Sequence, residues 1–324
     1  MDAVLGLDTS CYTTSAALAW DGAVIGQKRR LLTVEAGERG LQQSQAVFQH
    51  VTRLPGLIEA LLAEHPDVTI RAVCASTRPR NAEGSYMPVF TVGEGHGRAL
   101  AAALRVPFFA TSHQQGHVRA ALVDSGLVSQ EFLALHLSGG TTELLHVQNG
   151  RLTLLGGSSD LHAGQFVDRV GVALGLGFPC GPALEELARK GQARSILPIW
   201  VRGMECSFSG SESAAQRLIV SGELSAGDMA AEVYSCIART LAKLFENARQ
   251  ATHQKRVLLS GGVASSLLLR ELLPARLHRL KSPMKLFWGR PEYSGDNACG
   301  VALLGAEETE ETEKTKETFE RPPF

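Results

Sequence analysis

The chain lacks the features that mark secreted, membrane-spanning or disulfide-rich proteins. Its six cysteines are scattered without a Cys-x-x-Cys pair, so the sequence offers neither a disulfide framework nor a thiolate zinc site. No window of about 18 uninterrupted apolar residues occurs, which argues against membrane insertion. The N-terminus also lacks a basic segment followed by an apolar run. We therefore expect a protein of the reducing cytoplasm.

An excess of either charge sign is also missing. Lys and Arg number 32 against 33 Asp and Glu in 324 residues, and this balance argues against nucleic-acid binding driven by bulk charge. The balance hides a local asymmetry, because residues 306–324 carry seven Glu against Lys314, Lys316 and Arg321. We expect this stretch to be an acidic disordered tail and the remaining body to be mildly basic.

An internal repeat divides the rest of the chain into two similar halves. The stretch LGLDTSCYTTSAALAWDG begins at Leu5, and LALHLSGGTTELLHVQNG begins 128 residues later at Leu133. Each copy predicts a strand, a short polar turn, a second strand, and an Asp-Gly or Asn-Gly hairpin turn into a third strand. The repeat predicts two homologous lobes; the alternative is a chance resemblance between two hairpins.

Predicted helices follow each copy, and alternating strands and helices favour an α/β fold. We expect helices at residues 45–64, 93–104, 164–174, 182–190 and 229–251. We place the boundary in the strand-like segment before Ser112, which gives a first lobe of residues 1–107, a second of 108–305 and the tail. Two lobes with facing polar turns are the arrangement of actin and hexokinase, in which a nucleotide lies between the lobes.

Two histidines four residues apart are the best candidates for metal ligands. In the stretch TSHQQGH, Ser112 can cap a helix on which His113 and His117 lie on one face and can hold one ion. Asp296, before the short apolar helix 301–304, is the best candidate for a third ligand. Alternatives stay open: the histidines can be capping or core residues, and Asp296 can be a helix N-cap.

Small polar turns after predicted strands are candidate anion and nucleotide sites. In the turns 8–11 and 138–141, small residues let backbone N–H groups converge on a phosphate. Asp168 can accept hydrogen bonds from ribose hydroxyls. The Gly-Pro turn at 177–182 and the diglycine turn at 261–262 open further helices. Each of these, taken alone, is more often an ordinary strand-to-helix turn.

The order of these motifs resembles that of a known family. LGLDTS, SHQQGH, LSGGTTEL, AGQFVDR, GFPCGPALEELA, SFSG, SGGVASS and SGDNACGVA together resemble the TsaD-like transferases, which make N6-threonylcarbamoyladenosine in tRNA and were formerly called O-sialoglycoprotein endopeptidases. The resemblance covers nearly all of the chain up to about Gly305. It implies an actin-like ATPase fold with a nucleotide and metal cleft between two homologous lobes. It also implies transfer of a threonylcarbamoyl group from threonylcarbamoyl-AMP to N6 of the adenosine beside the tRNA anticodon.

The resemblance further implies cofactors, partners and site residues. One divalent metal, iron or zinc, would be held by His113, His117 and Asp296. The other substrate is the adenine nucleotide or threonylcarbamoyl-AMP, and the implied partners are tRNA and the proteins of the threonylcarbamoyl-transfer complex, without a membrane. No covalent nucleophile is required, so no catalytic side chain is assigned. The implied substrate-binding residues are His136, Leu137, Ser138, Gly139, Gly140, Asp168, Gly181 and Ser266.

The first-half motifs depart from the family pattern more than the second-half motifs do. Tyr12-Thr13 stands where the family usually has Asp-Glu, and residues 77–84 replace a Gly-Pro-Gly segment. Ser266 replaces the usual Asn. These departures indicate a divergent paralogue and keep three alternatives open: a scaffold that binds nucleotide without turnover, an actin-like small-molecule kinase and, least favoured, an endopeptidase, since the histidine pair lacks the Glu of His-Glu-x-x-His.

Overall fold

The computed structural model describes residues 1–10, 12–34 and 41–320, with side chains up to residue 315. The chain forms two compact units, one of residues 1–120 and 295–324 and one of residues 121–294. The expected division at residues 107/108 differs from this one, because the chain leaves the first unit only after the histidine helix and returns to it at Gly295. The return was not visible in the sequence because it depends on contacts between residues far apart in the chain.

The first unit begins with the predicted hairpins and a mixed sheet. Its sheet has the order β3-β2-β1-β4-β5, in which β1, β2 and β3 are antiparallel neighbours and β1, β4 and β5 are parallel. The elements are β1 (Asp2–Asp8), β2 (Thr13–Trp20), β3 (Ala23–Leu31), α1 (Gln43–Ala63), β4 (Thr69–Arg78), α2 (Phe90–Leu104), β5 (Phe108–Ser112) and α3 (His113–Leu122).

The second unit repeats that arrangement and extends it. Its sheet has the order β12-β11-β6-β7-β8-β10-β9, so β8-β7-β6-β11-β12 matches β3-β2-β1-β4-β5 in order and direction. The elements are β6 (Glu131–Leu137), β7 (Thr142–Gln148), β8 (Arg151–Ser158), α4 (Ala163–Ala173), α5 (Gly181–Ala188), β9 (Trp200–Arg202), β10 (Glu205–Ser207), α6 (Ser209–Ser221), α7 (Ala226–Thr252), β11 (Arg256–Ser260), α8 (Leu267–Arg279) and β12 (Lys285–Trp288).

The hairpin turns of the two copies confirm the predicted repeat. Asp21 and Gly22 have φ angles of 50° and 70°, and Asn149 and Gly150 have φ angles of 48° and 76°. Positive φ at both central residues is the type I′ geometry that matches the twist of the flanking strands. The same turn chemistry therefore produces the same three-stranded meander in each unit.

Each unit has its own apolar core. In the first, Leu5 and Leu7 of β1 and Val73 of β4 pack against Leu54 and Leu61 of α1. In the second, α7 is buried on most of its circumference, and residues such as Leu241 and Phe245 contact strands and neighbouring helices. A helix that is apolar on most faces must lie inside its domain, and α7 accordingly organises the second core.

The last helix, α9 (Cys299–Glu320), packs on β1, β2 and β4 of the first unit. The expected disordered tail is therefore incorrect as far as Glu320, while residues 321–324 lie outside the described residues. Thr309 is buried, and a Cβ on Gly305 would approach the Cβ of Cys74 to 2.5 Å. Acidic side chains of α9 pair with arginines, as Glu307 does with Arg119 at 2.6 Å. The charge count alone did not reveal the small residues that let this helix dock.

Among the described residues, no helix combines the length and the apolar character that crossing a bilayer requires.

Candidate metal centre and nucleotide pocket

The histidine helix α3 starts directly at the end of β5 and is fixed there by a capping box. The Ser112 Oγ accepts the N–H of Gln115 at 3.2 Å, and the Gln115 Oε1 accepts the N–H of Ser112 at 3.2 Å. The predicted N-cap role of Ser112 is confirmed. Gln115 is engaged in this cap, and His113 and His117 lie one turn apart on one face of the helix.

Two glycines bring the start of α9 against α3. A Cβ on Gly300 would overlap the carbonyl oxygen of Gly116, so this approach requires glycine. The entrance of α9 is capped by Asn297, whose Oδ1 accepts the N–H of Cys299 at 2.9 Å. Asn297 rather than Asp296 therefore caps this helix, and the Asp296 side chain extends toward α3.

The three predicted ligands converge on one point. The Nε2 atoms of His113 and His117 are 2.8 Å apart, and the Asp296 Oδ1 lies 3.2 Å from the His117 Nε2 and 3.5 Å from the His113 Nε2. Metal bonds of about 2.0–2.2 Å place tetrahedral ligand atoms roughly 3.3 Å apart. The observed triangle fits an ion with few adjustments, and the donor set of two imidazoles and one carboxylate suits a first-row divalent metal.

A fourth side chain, Asp8, adjoins this cluster and was not predicted from the sequence. Its carboxylate is 1% exposed, its Oδ2 lies 2.8 Å from the Nδ1 of His113, and its Oδ1 accepts the N–H of Ser10 at 2.8 Å. The turn at residues 8–11 was expected to bind an anion, yet a carboxylate of the chain itself already occupies the Ser10 N–H; Cys11 lies outside the described residues. The available signal was an Asp at the end of an otherwise apolar strand.

Electrostatics show that this cluster prefers a positive charge at its centre. Burial would lower the pKa of His113, but the charges of Asp8 and Asp296 raise it well above its usual value. Burial would raise the pKa of Asp8 and of Asp296, yet their contacts with the histidines lower both. These contacts favour the protonated form of His113 when no cation is bound. A divalent ion held by the same side chains would take the place of the Nε2 proton.

The second unit contains a pocket that brings together four of the eight predicted substrate residues. Its volume of about 470 Å³ falls in the range of small-molecule sites. Gly139, Asp168, Gly181 and Ser266 line it. The remaining lining residues are Gly164, Val167, Phe178, Pro179, Pro182, Glu185, Tyr234, Gly262, Val263 and Ser265.

The other four predicted substrate residues lie beside the pocket or beneath it. Leu137 has no exposed surface and its side chain packs in the core, so its predicted contact with substrate could be made only by its backbone. His136 has its Nδ1 3.2 Å from the Ser260 Oγ at the end of β11. Ser138 and Gly140 flank Gly139 in the loop after β6. Family motifs identify the loop, but Leu137 is the last residue of β6, where successive side chains point to opposite faces of the sheet. This alternation directs the Leu137 side chain into the core.

Close backbone approaches hold the pocket loops together. A Cβ on Gly164 would lie 2.6 Å from the carbonyl oxygen of Ser138, which also accepts the Gly164 N–H at 3.2 Å. Gly261 has a φ of 99° and lies against the backbone of Leu137. The glycines of these motifs therefore allow the backbones of the pocket loops to pack closely against one another.

Tyr234 was not singled out from the sequence, and Phe178 and Glu185 were noted only as parts of the GFPCGPALEELA motif. The Tyr234 hydroxyl donates to the Gly181 carbonyl at 3.0 Å, and the Glu185 Oε1 accepts the N–H of Leu268 at 2.7 Å. Phe178 is 77% exposed although it lines the pocket. The Asp168 Oδ1 accepts the N–H of Cys180 at 2.8 Å, which fixes the turn that carries Phe178. Only the folded chain shows that these residues from α5 and α7 meet.

The departures from the family pattern in the first half of the chain follow the carboxyl ends of β1 and β4. Tyr12 is 44% exposed and Thr13 is 4% exposed. The Pro79 carbonyl accepts the N–H of Gln114 at 3.0 Å, which places the altered segment against the first turn of α3. Arg78 donates to the Asn81 Oδ1 at 2.9 Å. The altered segment after β4 therefore contacts the first turn of the histidine helix.

Comparisons with known proteins agree with this geometry. The family model described as "TsaD: tRNA N6-adenosine threonylcarbamoyltransferase" matches residues 33–303, well over half of the chain.

Solved structures resemble the chain at low sequence identity. Component A of the Acidaminococcus fermentans (R)-2-hydroxyglutaryl-CoA dehydratase is 16% identical with a TM-score of 0.56, over 96% of this chain and 100% of that one. A glucokinase of the ROK family from Streptomyces griseus is 11% identical with a TM-score of 0.55, over 94% and 99%. HypF of T. kodakarensis is 14% identical with a TM-score of 0.60, over 96% of this chain and 48% of that one, so this chain spans about half of it. These likenesses confirm the predicted α/β, actin-like ATPase fold.

Proposed function

The chain belongs to the family of tRNA N6-adenosine threonylcarbamoyltransferases, and from this premise we propose that it transfers a threonylcarbamoyl group from threonylcarbamoyl-AMP to N6 of the adenosine adjacent to the tRNA anticodon. The reaction uses one divalent metal, iron or zinc, and takes place in the cytoplasm. The observation that carries the proposal is the convergence of His113, His117 and Asp296 within 4.8 Å of one another.

The first unit supplies the metal centre. His113, His117 and Asp296 hold the ion, and Asp8 supports the His113 ring from behind. When bound, the metal supplies a Lewis acid for the mixed carbamoyl-phosphate anhydride.

The second unit supplies the nucleotide pocket. The Asp168 carboxylate has one oxygen committed to the Cys180 N–H, which leaves the other to accept from a ribose hydroxyl. The Ser138 N–H is bonded to the Thr141 carbonyl, so the N–H groups of Gly139 and Gly140 would be the donors to a phosphate that gains charge as the exocyclic amine attacks. In other enzymes a well-placed donor of this kind contributes about 3 to 4 kcal/mol to transition-state stabilisation.

Partners complete the proposed activity. The net charge of −1 gives the chain little bulk attraction for tRNA. We therefore propose that other proteins of the threonylcarbamoyl-transfer complex supply the activated substrate and help to bind the tRNA. The acceptor adenosine would then be presented by an assembly.

A second candidate is a scaffold that binds nucleotide without turnover. It is favoured by Tyr12 and Thr13, which place a phenol and a buried hydroxyl in the turn after β1 where the family usually carries two carboxylates. A kinase is less well supported, because Asp8, the carboxylate at the end of β1, is engaged by His113 and Ser10. The endopeptidase alternative has no glutamate between the two histidines.

The test is a direct transfer assay. Metal-loaded protein is incubated with threonylcarbamoyl-AMP and unmodified tRNA, with and without the partner proteins, and the digested nucleosides are analysed by mass spectrometry. Modified adenosine that disappears in His113→Ala supports the transferase. His146→Ala is the matched control, because His146 contacts Glu131 at 3.0 Å in the second unit. Tight AMP retention without product in every condition supports the scaffold instead.

A further inference from the structure

We propose that Asp8 is a positioning residue for the metal centre, which fixes the His113 ring so that Nε2 is the atom presented to the ion. The inference rests on the metal centre of the proposed function and adds a residue outside the ligand set. Asp8 lies at the end of β1, far in sequence from α3, and its side chain is 1% exposed. Only two polar groups are bonded to its oxygens in the described contacts, the His113 Nδ1 and the Ser10 N–H, each at 2.8 Å.

The direction of the hydrogen bond follows from the donors available. A backbone N–H can only donate, so the Asp8 Oδ1 accepts from Ser10. The Oδ2 of the carboxylate is likewise an acceptor, so the His113 Nδ1 must carry the proton that it donates. The Nδ1-protonated tautomer has its lone pair on Nε2, and this atom faces His117 and Asp296. A metal-ligating histidine whose other nitrogen donates to a carboxylate is held in both tautomer and orientation.

The backbone around Asp8 makes this arrangement rigid. Its carbonyl accepts from the Ser15 Oγ at 3.2 Å, and the Thr13 N–H donates to the Ser10 carbonyl at 3.1 Å across the following turn. β1 is paired on both sides, with β2 and β4. The backbone of Asp8 is therefore fixed by a central strand, and the Ser10 N–H holds the carboxylate on the side of His113. A site supported in this way keeps its geometry before the ion arrives.

The experiment compares metal affinity in Asp8→Asn and Asp8→Ala. The asparagine of Asp8→Asn has one carbonyl oxygen, which the Ser10 N–H requires, so its NH2 group points at the His113 Nδ1. That nitrogen must then accept, and the ring proton moves to Nε2, where it competes with the ion. Asp8→Ala removes the support without imposing this tautomer. We expect Zn²⁺ affinity, measured by competition with a chromophoric chelator on metal-free protein, to fall about 10-fold to 100-fold, the usual loss for such partners, and to fall at least as far in Asp8→Asn as in Asp8→Ala.

Glu131→Gln is the matched control, because it removes the carboxylate partner of His146 in the second unit and should leave Zn²⁺ affinity unchanged. A ¹⁵N spectrum of the zinc-loaded wild-type protein, which needs no variant to fold, should show the His113 proton on Nδ1. A purely structural role of Asp8 predicts the reverse ranking, with the near-isosteric Asp8→Asn milder than Asp8→Ala.

Three results overturn the inference. One is an Asp8→Asn protein that binds Zn²⁺ as tightly as wild type, and another is a wild-type spectrum with the proton on Nε2 and the ion on Nδ1. Both leave the metal centre itself intact. A wild-type chain that binds no Zn²⁺ removes the proposed metal centre, and with it the role of Asp8.

Discussion

The two units share one five-stranded topology but fill the turn after its first strand with opposite chemistry. In the first unit, Asp8 ends β1 with a buried carboxylate that contacts His113. In the second, β6 continues into Ser138, Gly139 and Gly140, and the glycine loop lines a pocket. The same backbone therefore carries a candidate cation site in one unit and a candidate nucleotide pocket in the other. The comparison shows that topology sets the place of a site, while a few side chains decide the charge that it attracts.

The largest predicted effect concerns the candidate metal site of the first unit. His113→Ala removes a ligand and leaves Asp8 and Asp296 near each other without the imidazole between them. We expect metal retained after dialysis, measured by mass spectrometry, to fall more than about 100-fold, because a two-ligand site no longer encloses an ion. AMP affinity should stay unchanged, since the pocket lies in the second unit. Full metal content in His113→Ala would place the ion elsewhere.

The next prediction concerns the threonine that the repeat shares. Thr14 Oγ1 lies 2.8 Å from the Nδ1 of His50 on α1, whereas its equivalent Thr142 accepts the N–H of Ala163 at 3.0 Å. Burial lowers the pKa of His50 to about 4, more than the nearby Asp8 charge raises it. The unfolded chain titrates near 6.5, so it binds more protons than the folded chain between these values. Stability is then fully present above pH 6.5 and falls as the pH drops toward 4.

The loss should reach roughly 3 kcal/mol at pH 4. We expect the difference between the urea unfolding free energies of wild type and His50→Gln to shrink by that amount from pH 7 to pH 4. Comparing the two proteins cancels the titration of groups common to both. A difference that does not change with pH would show that His50 is not buried in its neutral form.

A third prediction concerns Gly164, which packs against the glycine loop after β6 in the second unit. In Gly164→Ala the new Cβ lies 2.6 Å from the Ser138 carbonyl oxygen, so the loop after β6 must shift. Overpacking of this kind costs about 1–3 kcal/mol. If this cost falls on the AMP-bound state, AMP affinity drops by about fivefold to 150-fold. Metal content should not change. Gly95→Ala is the control, because a Cβ there meets no atom within 4 Å. Equal AMP binding in both variants would separate the loop from the nucleotide site.

The smallest predicted effect concerns Asp168, the carboxylate of the pocket that is proposed to bind the ribose. Asp168→Asn keeps an oxygen for the Cys180 N–H but removes the charge offered to a ribose hydroxyl. A hydrogen bond to a charged group contributes about 1.5–3 kcal/mol, so we expect AMP affinity to fall about tenfold by calorimetry. Asp21→Asn, which copies the Asn-Gly turn of the second repeat, should bind AMP normally. Deoxyadenosine nucleotides that lose as much affinity as the variant would support a ribose contact; equal binding of AMP by Asp168→Asn and wild type would contradict it.

The sequence predicted the parts of the sites that depend on local geometry. Helix periodicity places His113 and His117 on one face, and a serine before the first helical residue favours an N-cap at Ser112. The structure shows both features. The role of Asp296 could not be decided from the sequence alone, because nothing in its local sequence distinguished a metal ligand from an N-cap. Asn297 takes the cap in the structure. The family motifs identified the pocket loops but did not reveal that Leu137 turns into the core.

What the sequence determined by itself is the repeated hairpin, the α/β alternation and the histidine pair, because backbone turns and side-chain periodicity act over a few residues. The tertiary structure decided which distant groups meet. Gly116 and Gly300 let α9 return to α3 and carry Asp296 to the histidines, and the pairing of β1 brings Asp8 behind His113. These contacts depend on packing between elements separated by most of the chain, and packing is settled only when the whole unit has folded.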